Sequence, residues 1–157
     1  MARAALAIAI LTAGCGLVSR DYTVQATIVA GGGSPGSNPQ FNASSLAAPL
    51  SSDVSQISNV SLRSATLAAT DQGGDLSFIS HVEIDANGTG LSQQVLATLP
   101  SAPAAGVTSV QLQLGPNTDL KPYLQAGGVL TANVQYVSFP ATARTLQLTL
   151  TIHGSLL

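Results

Sequence analysis

At 157 residues the chain amounts to about one domain, and an apolar fraction of 45% is enough for a real hydrophobic core. Charged residues make up only 8%, against about 25% in typical soluble domains, so the solvated surface must be built from Ser, Thr, Gln and Asn. The formal net charge of −2 leaves no basic patch for nucleic acid, and a single cysteine excludes an internal disulfide.

The first segment opens with Arg3, runs through the apolar stretch Ala4 to Leu11, and reaches Cys15 after the small residues Thr12-Ala13-Gly14. As a helix, Ala4 to Val18 extends about 22 Å, short of the roughly 30 Å hydrocarbon core of a bilayer, so a spanning anchor is disfavoured. Positive start, apolar run and small residues are the parts of a secretory signal, and the cysteine stands at the junction where cleavage falls. The stretch resembles a bacterial lipoprotein signal. That resemblance implies removal of residues 1–14, lipidation (diacylglycerol and palmitate-type acyl chains) at Cys15, and a tether over residues 15–20. Stable anchoring needs more than one acyl chain, which such a modification supplies. In the same family Gly16, in place of an aspartate, implies delivery to the outer membrane of the cell envelope.

The expected domain fills residues 21–157. Tyr22, Val24, Ala26 and Ile28 alternate with Thr23, Gln25 and Thr27, the pattern of a strand with one buried face. Residues 31–52, rich in Gly, Ser, Asn and Pro, form a long loop, with a helical turn expected around Ala43 to Ala48. A second strand region covers Val54 to Ala69. Its apolar phase shifts near Ser64, from Val60 and Leu62 to Ala65, Leu67 and Ala69, and a β-bulge accounts for such a shift.

Asp75 to Ile79 is expected to form a short helical turn ahead of a strand His81–Ala86. Asn87-Gly88 suits a two-residue hairpin turn, with a return strand Leu91–Ala97. Val110, Leu112 and Leu114 alternate with glutamines before Gly115-Pro116. Thr118 or Asp119 then caps a short helix through Gln125, and Gly127-Gly128 ends it. Val129 to Phe139 and Thr145 to His153 close the chain, the last with Leu146, Leu148, Leu150 and Ile152 facing inward. About seven short strands at this spacing indicate an all-β fold, an antiparallel β-sandwich of immunoglobulin-like or related topology with one or two short helical turns. A membrane barrel needs aromatic girdles, and the chain has three Tyr, three Phe and no Trp.

Four patterns could carry chemistry. Gly32-Gly33-Ser34-Pro35-Gly36 has the spacing of a nucleophile elbow, but the residue after the serine must lend a backbone N–H, and proline has none. His81, Glu83 and Asp85 share one face of a strand about 7 Å apart, the weak candidates for a metal site and otherwise a solvated polar row. The Pro-Cys-x-x-Cys partner that a zinc deaminase requires is absent. Asp85-Ala86-Asn87-Gly88-Thr89 begins like a calcium loop, but the twelfth position is Leu96 where an EF-hand has glutamate. Nothing in sequence pairs His153 with a nucleophile. The Asn-x-Ser/Thr matches at Asn42, Asn59 and Asn87 are incidental in a bacterial protein.

The sequence therefore indicates no catalytic residue, no enzyme and no cofactor. It describes a lipid-anchored envelope protein acting as a non-catalytic structural or binding accessory. Its expected partners are the membrane, through the anchor, and a protein, through an edge strand at Tyr22–Val29 or Thr145–His153 or through the loop 31–52. The alternatives are a small metal-dependent or hydrolytic envelope enzyme centred on His81, Glu83 and Asp85, and a subunit of a surface appendage or secretion apparatus.

Overall fold

The computed structural model describes residues 7–9, 19–32, 40–42, 57–71 and 74–156. Cys15, the Gly33–Gly36 stretch and the helical turn expected at Ala43–Ala48 lie outside them. Ten strands and one short helix are present among the described residues: β1 (Ala7–Ala9), β2 (Ser19–Ala30), β3 (Gln40–Asn42), β4 (Ile57–Ala69), β5 (Ile79–Asn87), β6 (Gln94–Leu99), β7 (Ser109–Gln111), β8 (Gln113–Leu114), α1 (Lys121–Gln125), β9 (Val129–Tyr136) and β10 (Arg144–Leu156).

The strands form two antiparallel sheets, ordered β1-β2-β10-β4-β7 and β3-β9-β5-β6-β8, so the fold is an all-β sandwich. Period-2 alternation makes it one. Val24, Ala26 and Ile28 from β2, Leu146, Leu148, Leu150 and Ile152 from β10, and Leu62, Ala65 and Leu67 from β4 face Val82, Ile84, Ala86, Leu96, Leu130 and Ala132 of the opposite sheet, all nearly inaccessible to water. Each large side chain removed from water in this way contributes about 1.5–3 kcal/mol. Every described core residue lies at Tyr22 or later.

The expected bulge is present. Thr151 pairs with Ser64 but Ile152 pairs with Leu62, which leaves Arg63 as the extra residue and lets both Leu62 and Ala65 point into the core. The pattern Val110 to Leu114 proves to be one segment shared by two sheets. Ser109–Gln111 pairs with β4 and Gln113–Leu114 with β6, while buried Leu112 crosses between them and donates its N–H to Ala65 O at 2.8 Å. Gly115 completes the crossing, since a Cβ there would stand 2.6 Å from Val95 O.

Several local expectations shift. Thr145–His153 is no edge: β10 lies between β2 and β4, paired along both sides. Its alternation reports which face is buried and says nothing about neighbours. Leu76 to Phe78 makes a turn, with Ile79 N–H donating to Leu76 O at 3.0 Å, in place of a helical turn. The β5–β6 connection is wider than a two-residue turn, because Leu91 N–H closes on Gly88 O, Gly90 takes a φ of 75°, and Tyr123 holds Ser92 O at 2.8 Å. The cap of α1 is Leu120, although Asp119 Oδ1 accepts the Lys121 N–H at 3.0 Å.

Register fixes the two ends of the sandwich. Ser19 pairs with Ser155 at one end, near Ile57 and α1, and Ala30 pairs with Arg144 at the other. Lys121 Nζ reaches Ser58 O and Leu120 N–H donates to Val60 O, which puts α1 at the Ser19 end.

Candidate functional site

Alternation along β5 sends Val82, Ile84 and Ala86 into the core and leaves His81, Glu83 and Asp85 on the outer face. The three do not act together. His81 Nε2 stands 3.9 Å from Glu83 Oε2, both side chains about a third exposed. Asp85 is fully buried despite its outward register. Asn133, on the adjacent β9, donates Nδ2–H to Asp85 Oδ2 at 2.7 Å, while Oδ1 has no hydrogen-bond partner. Bulges lie on either side of this row, between Ile79 and His81 against β9 and between Ile84 and Asp85 against β6. No three His, Cys, Asp or Glu among the described residues are placed to hold a metal ion. His81 and Glu83 offer two ligands where a structural zinc takes four.

His153 has a partner that sequence did not reveal. Its Nδ1 lies 2.6 Å from Asp21 Oδ1, directly opposite across the β10–β2 ladder. The two residues are 132 positions apart, so no local signal announces the pair. It occupies the Ser19 end of the sandwich.

The same end holds an open cleft of about 360 Å³, lined by Asn87, Gly88, Thr89, Gly127, Gly128 and Val129. Glycine is required in its wall. A Cβ on Gly128 would collide with the Asn87 carbonyl oxygen and lie 2.8 Å from Tyr123 O, and Gly127 has a φ of 64°. The lining offers backbone groups, the Asn87 amide and the Thr89 hydroxyl, but no titratable side chain.

The opposite end carries the aromatic residues. Phe78 and Tyr136 stack with ring centroids 6.1 Å apart, Phe139 tilts against Tyr136 at 4.6 Å, and the Arg144 guanidinium lies 5.9 Å over Phe78. Arg144 Nε also sits 2.5 Å from Asp71 Oδ2. Burial pushes the Tyr136 hydroxyl above the usual tyrosine range. Asp75 ties the neighbouring loop together: Gly106 N–H donates to Oδ2 at 2.9 Å, and Ser77 donates its N–H and hydroxyl to Oδ1 at 3.1 and 2.7 Å. Those hydrogen bonds, Gly106 first, hold the Asp75 carboxyl below its ordinary value.

The sheet edges differ in how they are closed. The outer side of β4 is covered by residues 108–120, through Ala69 N–H to Thr108 O, Leu67 opposite Val110, Leu112 N–H to Ala65 O, and Leu62 N–H to Thr118 O. β6 is covered by β8 and by the Gly115 N–H on Leu96 O. On β2 the outer partner is β1, opposite Thr23, Val24 and Gln25. No helix among the described residues is long and apolar enough to cross a membrane. Neither a protein-family model nor a curated protein sequence matches this chain.

Proposed function

We propose that the chain is a lipid-anchored protein of the bacterial envelope that works as a non-catalytic structural or binding accessory. The observation that carries this reading is the entry of the chain into the fold. β2 begins at Ser19, four positions after Cys15, and runs without interruption to the far end of the sandwich at Ala30. Four residues reach at most about 14 Å, so a lipidated Cys15 holds the Ser19 end close to the bilayer. The far end, with Phe78, Tyr136, Phe139 and Arg144, then stands on the order of 36 Å further out.

The polar groups support an accessory in place of a catalyst. Asp85 is committed to Asn133, His153 to Asp21 and Asp71 to Arg144, each explained as a structural partner. Metabolic labelling with a palmitate analogue in a bacterial host tests the anchor: label should enter the wild-type chain and be absent from Cys15→Ser. Label-free wild-type protein would remove the proposal.

A further inference from the structure

We propose that the Ser19 end of the sandwich rests on the bilayer surface, with the turn at residues 88–92 and the glycine lip Gly127–Gly128 in the headgroup layer and Leu91 as the inserted side chain. The inference deepens the reading of a lipid tether at Cys15 and rests on it. Three observations carry it.

First, the turn and the tether share one end of the molecule. Ser19 pairs with Ser155, whose hydroxyl lies 2.8 Å from the Ser58 hydroxyl. Lys121 Nζ donates to Ser58 O at 3.3 Å, and Tyr123, on the same helix, donates its hydroxyl to Ser92 O at 2.8 Å. These contacts join the start of β2, through α1, to the turn of the opposite sheet. A lipidated Cys15 lies within about 14 Å of Ser19, so the surface next to this end is lipid.

Second, the segments presented there carry no charge. Neither residues 86–118 nor residues 122–143 contain an Asp, Glu, Lys, Arg or His. Thr89, Gly90, Leu91, Ser92, Gln93 and Gly127 are exposed. No ion has to be stripped of its water as the turn enters the headgroup layer. The carboxylates of this end are engaged, Asp21 with His153 and Asp119 with the Lys121 N–H. Lys121 stands at the margin, where a cation is drawn to lipid phosphates.

Third, the apolar groups gather at the tip. Leu91 is 38% exposed. Leu91 Cδ1, Ala126 Cβ and Tyr123 Cδ1 would stand 3.2, 3.3 and 3.5 Å from a Cβ on Gly88, so the three side chains meet around that glycine. The open cleft between residues 87–89 and 127–129 lies beside them. At the boundary of headgroups and acyl chains such a tip buries its apolar part while the hydroxyl and amide groups around it stay hydrated.

Fluorescence on vesicles tests this. In the lipidated Leu91→Cys protein the Cys15 sulfur is held in a thioether, so residue 91 is the one free thiol for a nitrobenzoxadiazole label. Thr89→Cys supplies a second site on the turn, and Val137→Cys a site 63% exposed at the opposite end. On vesicles of phosphatidylethanolamine and phosphatidylglycerol, the labels at 89 and 91 should shift their emission to the blue and be quenched by headgroup-spin-labelled lipid. The label at 137 should emit as in water. Water-like emission at both 89 and 91 of the vesicle-bound protein, or equal quenching at 137, would overturn the proposal. If Cys15 carries no lipid, the anchor itself fails. The three labelled chains, begun at residue 15 with Cys15→Ser and held to nickel-chelating vesicles by an N-terminal hexahistidine tag, then decide the contact by the same readings.

Discussion

Asn133 donates to Asp85 at 2.7 Å and so gives a fully buried carboxylate the one hydrogen bond it has. Stranding a buried charged acceptor costs more than losing an exposed one, about 1–3 kcal/mol or above. Asn133→Leu should therefore lower the unfolding free energy, read by urea denaturation, by an amount in that range. The double variant Asp85→Leu/Asn133→Leu should recover part of the loss, because the uncompensated carboxylate is gone. Simple additivity of the two single variants would show that the pair is not coupled.

Acid stability should depend on Asp75. Its carboxyl is depressed in the folded protein by the Gly106 N–H and by Ser77, so the folded state binds this proton less readily than the unfolded chain. The stabilisation is present above the ordinary carboxylate value and is lost as pH falls through the lower folded value. Thermal melts from about pH 7 down to about pH 2 should show a shallower acid limb for Asp75→Asn than for the wild type. Coincident acid limbs would contradict the assignment.

The two glycines that end α1 should differ. Gly128→Ala forces a methyl against the Asn87 and Tyr123 carbonyl oxygens, which are backbone and cannot rotate away, so about 1–3 kcal/mol should be lost. Gly127→Ala has open space but keeps a left-handed φ, at a cost of about 1–2 kcal/mol. Chemical denaturation of the two variants reads both.

Central placement of β10 makes Leu148→Pro far more damaging than a substitution on a free edge. Proline there removes a ladder hydrogen bond in the middle of the sheet, at a residue whose neighbours on both sides are Ala26 and Leu67. Circular dichroism should report loss of the β signal for this variant. A cooperative melt close to the wild type would contradict the assigned strand order.

Much of the sandwich could be read from alternation, because a face that must be buried writes itself into every second residue. The inward Leu146, Leu148, Leu150 and Ile152 and the phase change read near Ser64 are of this kind; the structure places the extra residue at Arg63. Strand neighbours were not readable: β10 has the same pattern whether it lies at an edge or between two strands. The crossing at Leu112 was hidden for a related reason, since one alternating run serves both sheets. The row His81, Glu83, Asp85 was placed on the correct face, but burial of Asp85 depends on its surroundings in the folded sheet and not on its own strand. His153 and Asp21 meet only because the first and last long strands pair, a contact of the greatest sequence separation and the least local trace.

The anchor is the claim on which the orientation of the sandwich depends. Its most direct measurement is the mass of the mature protein extracted from bacterial membranes. The account predicts a chain beginning at Cys15 that carries diacylglycerol and acyl groups, and a Cys15→Ser chain that carries none and leaves the membrane fraction. A mature chain starting elsewhere, or an unmodified Cys15 in a chain that still fractionates with membranes, would contradict it.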